Sequence, residues 1–335
     1  MFTNLQLPKP SRLVARHSKR RSLKRAPLRR QRASLGALRG SALQVGTAAE
    51  SAVDSCEHLQ LPRTYRVIRK LGQGGMGEIY LAKHLRRHLT CVIKVVRADK
   101  RFDPVAVRRF RTELQTLTSL NHPQIVRILD QGCTADGHDF VAMEYLNELN
   151  LEQFIERNGA CSADQVISVL LKIASALSAV HAKGMNHGDV KPANIMASVG
   201  PGETIDATLI DFGLSTLHCH TDSGLSDTCS SGFVGSPLYA PPESAFGGVD
   251  ARSDLYSLGA TAYQLLVGRP VFDVVDPIRA VYAHAVQDPQ SVRAIRADVS
   301  PALDAIVMKC LKKNPDERFQ NVEELIEALN SLNAV

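Results

Sequence analysis

The sequence predicts an α+β fold in two parts, a small β-rich part followed by a larger, mostly helical part. Up to about residue 145, short runs of alternating apolar and polar residues are typical of strands. Beyond that point, longer segments repeat apolar residues with the period of a helix. The chain has 335 residues and is 44% apolar, which is enough to build a full core. The junction of the two parts is a natural cleft, where ligands commonly bind.

A strongly basic tail precedes this body. Residues 1–40 hold twelve of the 40 Lys and Arg residues and no acid, so the rest of the chain has 28 basic against 34 acidic residues. A run this charged, without hydrophobic periodicity, cannot bury enough apolar surface to order itself. We therefore expect a disordered tail over residues 1–60 and one folded domain over residues 61–332.

Several roles are open for this tail. Its charge suits nucleic acid, an anionic membrane or an acidic partner protein. The content of Arg and Ser without acids in residues 1–40 is also typical of an organelle transit peptide. A plain solvated tail, or a start codon assigned too far upstream, explains the composition equally well.

The sequence contains no segment that we expect to span a membrane. Its most apolar stretch, residues 166–180, is short and interrupted by Lys172, so we expect a buried or amphipathic helix there. The first residues lack the apolar segment of a secretory signal. The seven cysteines are scattered without a C-x-x-C pair, which fits core or loop thiols in a reducing compartment. We expect a cytoplasmic protein.

A glycine-rich turn joins the first two predicted strands, residues 63–68 and 79–82. Gly72, Gly74 and Gly77 fit the pattern G-x-G-x-x-G, in which missing side chains let backbone N–H groups approach phosphate oxygens. The pattern is weak by itself, because a plain hairpin loop fits it as well. A dinucleotide-binding turn would need a helix directly after the glycines, and here a strand follows.

A lysine lies in the middle of the next apolar strand, residues 90–96. Burying the ammonium group of Lys94 is costly unless an anion pairs with it. Two anions are candidates: phosphates bound beneath the glycine turn, and Glu113 on a helix predicted over residues 105–120. An ordinary surface position for Glu113 is the alternative.

Two short strands, over residues 125–129 and 140–143, complete the small part. The helical part then contains a long helix over residues 162–181, which we expect Ser162 to cap and Gly184 to close.

The loop after this helix contains most of the residues that suggest chemistry. It reads His187-Gly188-Asp189-Val190-Lys191-Pro192-Ala193-Asn194, and Asp211-Phe212-Gly213 begins seventeen residues after Asn194. Asp189 is a candidate base and Lys191 could hold a phosphate. The amide oxygen of Asn194 and the carboxylate of Asp211 are the hard ligands that magnesium prefers. Together these residue types favour a phosphoryl-transfer site.

Six features follow one another along the chain. They are the glycine turn, Lys94 in its strand, Glu113 in its helix, the polar loop, Asp-Phe-Gly and, at residues 241–243, Pro-Pro-Glu. In this order they resemble the Hanks-type serine/threonine protein kinases, most of all the soluble bacterial ones, over about residues 63–330. The resemblance implies a bilobal protein kinase-like fold, with an N-lobe over about residues 61–145 and a C-lobe over about residues 146–332. It also implies transfer of the γ-phosphoryl group of ATP to Ser or Thr hydroxyls of protein substrates, with autophosphorylation.

The resemblance assigns roles to the residues of the polar loop. Asp189 would orient the acceptor hydroxyl and take its proton, and Lys191 would neutralise the γ-phosphate. Asn194 and Asp211 would hold Mg²⁺, or Mn²⁺ in its place.

The resemblance also implies a nucleotide-binding set in the N-lobe. Lys94 would hold the α and β phosphates, and Glu113 would fix Lys94. Glu144 and Leu146 would supply backbone groups to the adenine. The other members of the set are Leu71, Gly72, Gly74, Gly77, Ile79 and Met143.

Three further contacts are implied outside the nucleotide site. Glu243 would pair with Arg318, and Asp254 would anchor the catalytic loop from a buried helix. Ser236 stands where the family usually has threonine, so its hydroxyl would contact Asp189. The lysine at position 191 is typical of serine/threonine kinases and not of tyrosine kinases.

Gly188 departs from the family pattern, because most members have arginine before the catalytic aspartate. That arginine normally receives a phosphorylated residue of the activation loop. We therefore expect activity to depend little on phosphorylation of this loop, although Thr228, Ser230 and Ser231 are candidate sites of autophosphorylation.

Two other interpretations remain open. The chain could be a pseudokinase scaffold that binds nucleotide or partner proteins without turnover, although intact Lys94, Glu113, Asp189, Asn194 and Asp211 argue against it. Alternatively, the tail could be the main functional part and the domain a tether to nucleic acid or membrane, which would show as binding that falls steeply with salt.

Overall fold

The computed structural model describes residues 61–74, 77–96, 118, 120–200, 204–211, 236–245 and 248–332, all within one compact unit, Thr47–Val335. The predicted tail over residues 1–60 lies outside the described residues. So do Glu113, with all but two residues of the helix predicted around it, and the candidate phosphorylation sites Thr228, Ser230 and Ser231.

The small part is an antiparallel sheet of five strands in the order β1-β2-β3-β5-β4. One face of this sheet carries a cluster of buried side chains rich in aromatic and β-branched residues, which suit a pleated surface. The predicted β-rich first part is therefore confirmed. The strands are β1 (Tyr65–Gly74), β2 (Gly77–His84), β3 (Leu89–Val96), β4 (Ile128–Cys133) and β5 (Asp139–Glu144).

The strand predicted over residues 125–129 is wrong in its boundaries, because β4 begins at Ile128 and continues to Cys133. The apolar run that suggested it is shared between two partners. Ile125 forms a parallel bridge with Leu209, and the Val126 N–H donates to the Leu209 carbonyl at 2.9 Å. The first half of the run therefore contacts the helical part, and only the second half joins the sheet.

The larger part contains six α-helices among the described residues and a second sheet of three short antiparallel strands, in the order β6-β7-β8. Its core is one continuous cluster of buried side chains to which nearly all of these elements contribute. The strands are β6 (Leu149–Asn150), β7 (Ile195–Val199) and β8 (Ile205–Leu209). The helices are α1 (Leu151–Asn158), α2 (Ala163–His181), α3 (Ala251–Val267), α4 (Pro277–Val286), α5 (Pro301–Cys310) and α6 (Val322–Ser331).

Helix α2 matches its prediction closely. Ser162 caps it through a bond from the Gln165 N–H, and Gly184 lies just beyond its end with a φ of 70°, which favours glycine. In the described part of the chain this is also the one helix long and apolar enough to cross a membrane. Its apolar side chains pack in the core, and three of its polar side chains bind Ile205, Asp206 and Glu323.

Helix α3 is buried around most of its circumference and packs closely against α5. A Cβ atom added to Gly259 would lie 2.5 Å from the Cβ of Cys310, closer than atoms of a core can approach. The glycine therefore sets the separation of these two helices. Gly248, just before α3, contrasts with it, because an added Cβ there would meet only the Cβ of Glu243, at 4.0 Å.

We predict that Gly259→Ala lowers the free energy of unfolding by about 1–3 kcal/mol, because the extra methyl group forces α3 and α5 apart. Urea unfolding followed by circular dichroism measures this change. Gly248→Ala is the matched control, and we expect it to leave stability nearly unchanged. Equal stability of both variants would contradict the close contact between the two helices.

Candidate active site

The β7–β8 hairpin brings the polar loop and Asp211 together. Ile195 pairs with Leu209, and the Ile210 N–H donates to the Asn194 carbonyl at 2.9 Å. Asn194 ends the polar loop and Asp211 follows β8, so the hairpin closes the seventeen-residue gap between them. The site therefore depends on a local pairing that sequence spacing alone does not reveal.

Asp189, Lys191 and Asn194 form one hydrogen-bonded group. The Lys191 Nζ lies 2.7 Å from the Asp189 Oδ2, and the Asn194 Nδ2 donates to the same oxygen and to the Asp189 carbonyl, both at 2.9 Å. Both hydrogens of the Asn194 amide group are thus used toward Asp189. Its Oδ1 is then the atom that suits a cation, because a carbonyl oxygen is a hard ligand.

Lys94 crosses from the sheet to the other part of the site. It is 8% exposed, and its ammonium group forms an ion pair with the Asp211 carboxylate. The expectation that a lysine in an apolar strand needs an anion is met here by Asp211. Of the two anions considered at first, Glu113 lies outside the described residues.

Strand register places several of the predicted nucleotide-binding residues on the same face as Lys94. Ile79 lies directly opposite Lys94, and Gly72 lies opposite Ile79. Met143 lies opposite Val92, two positions before Lys94, and therefore on the same face as well. The aromatic cluster of the small part contains Tyr80 and Ile93 and occupies the opposite face. Among the described residues, the core cluster of the small part thus lies on one face of the sheet, and Lys94 with the predicted nucleotide-binding residues lies on the other.

The remaining predicted residues lie at the edges of this face. Leu71 is exposed, and Gly74 and Gly77 pair across the end of the first hairpin. Gly77 has a φ of 152°, which side chains rarely adopt. Residues 75 and 76, between the two glycines, are outside the described residues.

The segment after β5 joins the two parts of the chain. The Glu144 N–H donates to the Arg127 carbonyl at 3.0 Å, and the Glu144 Oε1 accepts from the Arg127 N–H at 2.9 Å. The N–H and the side chain of Glu144 are thus used within the protein. Leu146 packs against the core of the helical part.

Asp254, buried at the start of α3, holds the polar loop. One of its oxygens, Oδ2, accepts from the His187 N–H and the other, Oδ1, from the Gly188 N–H, both at 2.8 Å. The His181 Nε2 donates to the Oδ2 at 2.8 Å. The anchoring role that the resemblance implied for Asp254 is therefore confirmed, whereas the part of His181 was not predicted. Its only sequence signal is its position in the last turn of α2.

Gly188 has a φ of 76°. A residue with a Cβ atom pays about 1–2 kcal/mol to adopt this left-handed conformation, and glycine does not. The residue that replaces the usual arginine therefore lets the loop take its shape without strain, and Asp254 holds its N–H there.

A tight turn over residues 236–239 lies beside this loop. The Tyr239 N–H donates to the Ser236 carbonyl at 2.9 Å, which closes the turn. The Lys191 Nζ donates to the Ser236 Oγ at 2.5 Å, so the link between Ser236 and Asp189 runs through Lys191. The resemblance implied a contact between the Ser236 hydroxyl and Asp189. In the structure this hydroxyl lies beside the polar loop, but its partner is Lys191.

Glu243 and Arg318 form a nearly dry ion pair just after this turn. The guanidinium donates to both carboxylate oxygens, at 2.7 and 2.8 Å, and its side chain is fully buried. The Ser253 Oγ also donates to Glu243, at 2.7 Å. Burial by itself would raise the pKa of Glu243, but the hydrogen bonds from Arg318 and Ser253 outweigh it and lower the pKa below its usual value.

We predict that Glu243→Gln lowers the free energy of unfolding at pH 7 by about 3 kcal/mol, because it leaves the buried Arg318 charge without its counterion. The folded pKa of Glu243 is depressed, so the carboxylate stabilises the fold above pH 4.5 and this contribution is lost as the pH falls through the folded pKa. The difference from wild type should therefore shrink in acid. Urea titrations at several pH values measure it.

Asp316→Asn is the matched control for this variant. The Asp316 carboxylate pairs with Arg252 but is 79% exposed, and exposed pairs contribute little. We expect a much smaller change from it at every pH. A loss for Glu243→Gln that does not vary with pH would contradict the assigned charge of Glu243.

The donor set at the cleft fits a nucleotide with a divalent metal ion. The ammonium group of Lys94 pairs with the carboxylate of Asp211, and Asn194, which the β7–β8 hairpin brings close to Asp211, offers an amide oxygen. Phosphates suit the ammonium group, and hard cations suit the oxygens. The structure thus brings Lys94, Asp189, Lys191, Asn194 and Asp211 into one region, linked by the bonds given above.

Comparisons with known proteins agree with this geometry. Residues 65–329 match the protein kinase domain family. The serine/threonine-protein kinase PknB of Mycolicibacterium smegmatis is 39% identical over 265 residues, which cover 78% of this chain and 41% of PknB. The serine/threonine-protein kinase pkn3 of Myxococcus xanthus is 34% identical over 77% of this chain and 48% of its own length. The chain thus spans less than half the length of these curated relatives.

Solved structures show the same fold. The kinase domain of PknI from Mycobacterium tuberculosis has a TM-score of 0.63 at 28% identity and covers 81% of this chain and 98% of its own length. Rad53 residues 1–466, solved with AMP-PNP, has a TM-score of 0.64 over 79% of this chain and 64% of its own length. Its 21% identity supports the fold alone.

Proposed function

This chain belongs to the protein kinase domain family, in its Hanks-type serine/threonine branch, and from that premise we propose that it is an active serine/threonine kinase. It transfers the γ-phosphoryl group of ATP to Ser or Thr hydroxyls of protein substrates, and to its own chain. The observation that carries the proposal is the bonded group of Asp189, Lys191 and Asn194 joined by the β7–β8 hairpin to the Lys94–Asp211 pair.

The proposed roles follow from the charge of each group. Asp189 accepts the proton of the acceptor hydroxyl and orients it, while Lys191 carries positive charge to the transferring group. Lys94 binds phosphate oxygens, and Asn194 and Asp211 ligate Mg²⁺, with Mn²⁺ as a substitute. Bound ATP and metal supply the phosphoryl group and neutralise its charge. Most of the catalytic benefit comes from alignment, since no covalent step involves the protein.

The nucleotide base fits the face of the sheet next to this group. Gly72, Gly74 and Gly77 leave room for phosphates, while Leu71, Ile79 and Met143 offer apolar surface to the adenine. Glu144, through its carbonyl, and Leu146, through its N–H, are the proposed backbone partners. Glu113 stays a prediction as the residue that fixes Lys94.

The remaining expectations also stay predictions. These are a cytoplasmic location, and a basic tail over residues 1–60 that binds an acidic partner, nucleic acid or an anionic membrane. A kinase without the tail would test the last point, because loss of a polybasic contact weakens binding most at low salt.

We predict that the purified chain transfers labelled phosphate from ATP and Mg²⁺ to myelin basic protein, on serine and threonine. Lys94→Met and Asp189→Asn should each lower the rate at least about a hundredfold, since each removes a group needed for phosphate binding or for the acceptor hydroxyl. Phosphoamino acid analysis and initial rates measure the two results.

Matched surface variants control for general effects of these changes. Lys312→Met and Asp206→Asn alter exposed residues and should keep at least half of the rate. ATP binding without any transfer by the wild type would favour the pseudokinase scaffold. Unchanged rates in Lys94→Met or Asp189→Asn would refute the assigned roles.

We predict that simultaneous Ala replacement of Thr228, Ser230 and Ser231 leaves at least about half of the turnover toward an external substrate. Gly188 provides no positive side chain to bind a phosphorylated loop residue, and its loop is already held by Asp254. The turnover number at saturating ATP measures the effect. Loss of transfer in the triple variant would refute the expectation that activity depends little on phosphorylation of this loop.

A further inference from the structure

His284 on α4 has no assigned role, yet it is fully buried and lies against the turn at residues 236–239. Its Nε2 is 2.8 Å from the Leu238 carbonyl, and its Nδ1 is 2.8 Å from the Tyr256 hydroxyl. The ring also makes edge contacts with Tyr256 and Phe272. Both ring nitrogens are hydrogen-bonded, as burial of a polar ring requires, and these two bonds fix the orientation of the ring.

The partners of the ring determine its tautomer. A carbonyl oxygen only accepts hydrogen bonds, so the Nε2 must carry the hydrogen and donate to Leu238. The Nδ1 then accepts from the Tyr256 hydroxyl. Burial lowers the pKa of His284 to about 4, and the nearby Lys313, whose Nζ donates to the His284 carbonyl at 2.7 Å, disfavours a second charge. The ring is therefore neutral near pH 7 and donates in one direction.

The turn that receives this hydrogen bond also contacts the candidate catalytic group. Ser236 accepts from Lys191 at 2.5 Å, and Leu238 is two residues further along the same turn. The Tyr239 carbonyl accepts from the Ser257 hydroxyl on α3, at 2.9 Å. The turn is thus held at three points, by the catalytic loop, by α3 and, through His284, by α4.

We propose that His284 is a positioning residue for the protein substrate, which fixes the Leu238 end of the 236–239 turn so that an acceptor segment can lie beside Asp189. The proposal rests on the proposed kinase function. The proposal assigns α4 to the binding of the protein acceptor and not to the binding of ATP. The reason is that the Nε2 of His284 bonds to Leu238 in the turn and not to the residues that share the face of the sheet with Lys94.

Three variants separate this role from a general effect on folding. His284→Phe keeps an aromatic ring but cannot donate to Leu238. His284→Gln keeps a donor close to the position of the Nε2. Tyr256→Phe removes the hydroxyl that donates to the Nδ1 and leaves the bond to Leu238 in place, so it is the matched control. His284→Leu replaces His284→Phe if the larger ring prevents folding.

Two measurements then test the proposal on the full chain. Steady-state kinetics give KM for myelin basic protein at saturating ATP and KM for ATP at saturating acceptor. Hydrogen exchange gives the protection of the backbone amides at residues 238–240, which does not depend on catalysis. For His284→Phe we expect the acceptor KM to rise about threefold to tenfold, as for the loss of one hydrogen bond, with the ATP KM within about twofold and faster exchange in the turn.

The other variants complete the expected pattern. His284→Gln should recover most of the acceptor KM, and Tyr256→Phe should stay within about twofold of wild type. An unchanged acceptor KM and unchanged exchange in His284→Phe would overturn the proposal, as would equal changes in both KM values. A wild type without phosphotransfer would refute the kinase function instead, and the exchange experiment would still decide whether His284 holds the turn.

Discussion

The buried carboxylate of Asp254 is the interaction on which the rest of the site depends. A charged group that is only 1% exposed needs hydrogen bonds to offset its lost hydration, and Asp254 receives them from His181 and from the backbone of His187 and Gly188. The hydrogen bonds that stabilise the buried carboxylate are therefore the same ones that fix the backbone of the loop. Because α3 is itself enclosed by the core, Asp254 fixes the loop to the most buried of the described helices.

A second buried charge, on Arg318, fixes another segment of the helical part. The guanidinium of Arg318 reaches Glu243 with two hydrogen bonds and also donates to the carbonyls of Lys312, Lys313 and Arg252. Such a pair adds little net stability compared with apolar residues, but it fixes one geometry, because any displacement leaves a charge without a partner. The segment that begins with the 236–239 turn is therefore held at a defined distance from α3, and α4 adds its own contact through His284.

Much of this arrangement was predictable from the residues, and the exceptions have physical causes. The glycine turn, Lys94 and the caps of α2 follow from local chemistry, and the structure confirms the elements that contain them. The boundaries of β4 were wrong because Ile125 and Val126 bond to Leu209, a partner more than eighty residues away. Ser236 was expected to contact Asp189 directly, whereas Lys191 lies between them. Such details depend on packing between distant segments, which no local pattern encodes.

The sequence by itself determined the fold class, the family and the identity of the chemical groups, because each rests on residue types at short spacings. The tertiary structure alone decided which groups meet. It paired Lys94 with Asp211, gave Gly188 its left-handed conformation and enclosed His284 between α3, α4 and the turn. Burial fixes the orientation of a polar side chain, because a buried polar atom needs a specific hydrogen-bond partner. That requirement acts only once distant segments have packed together.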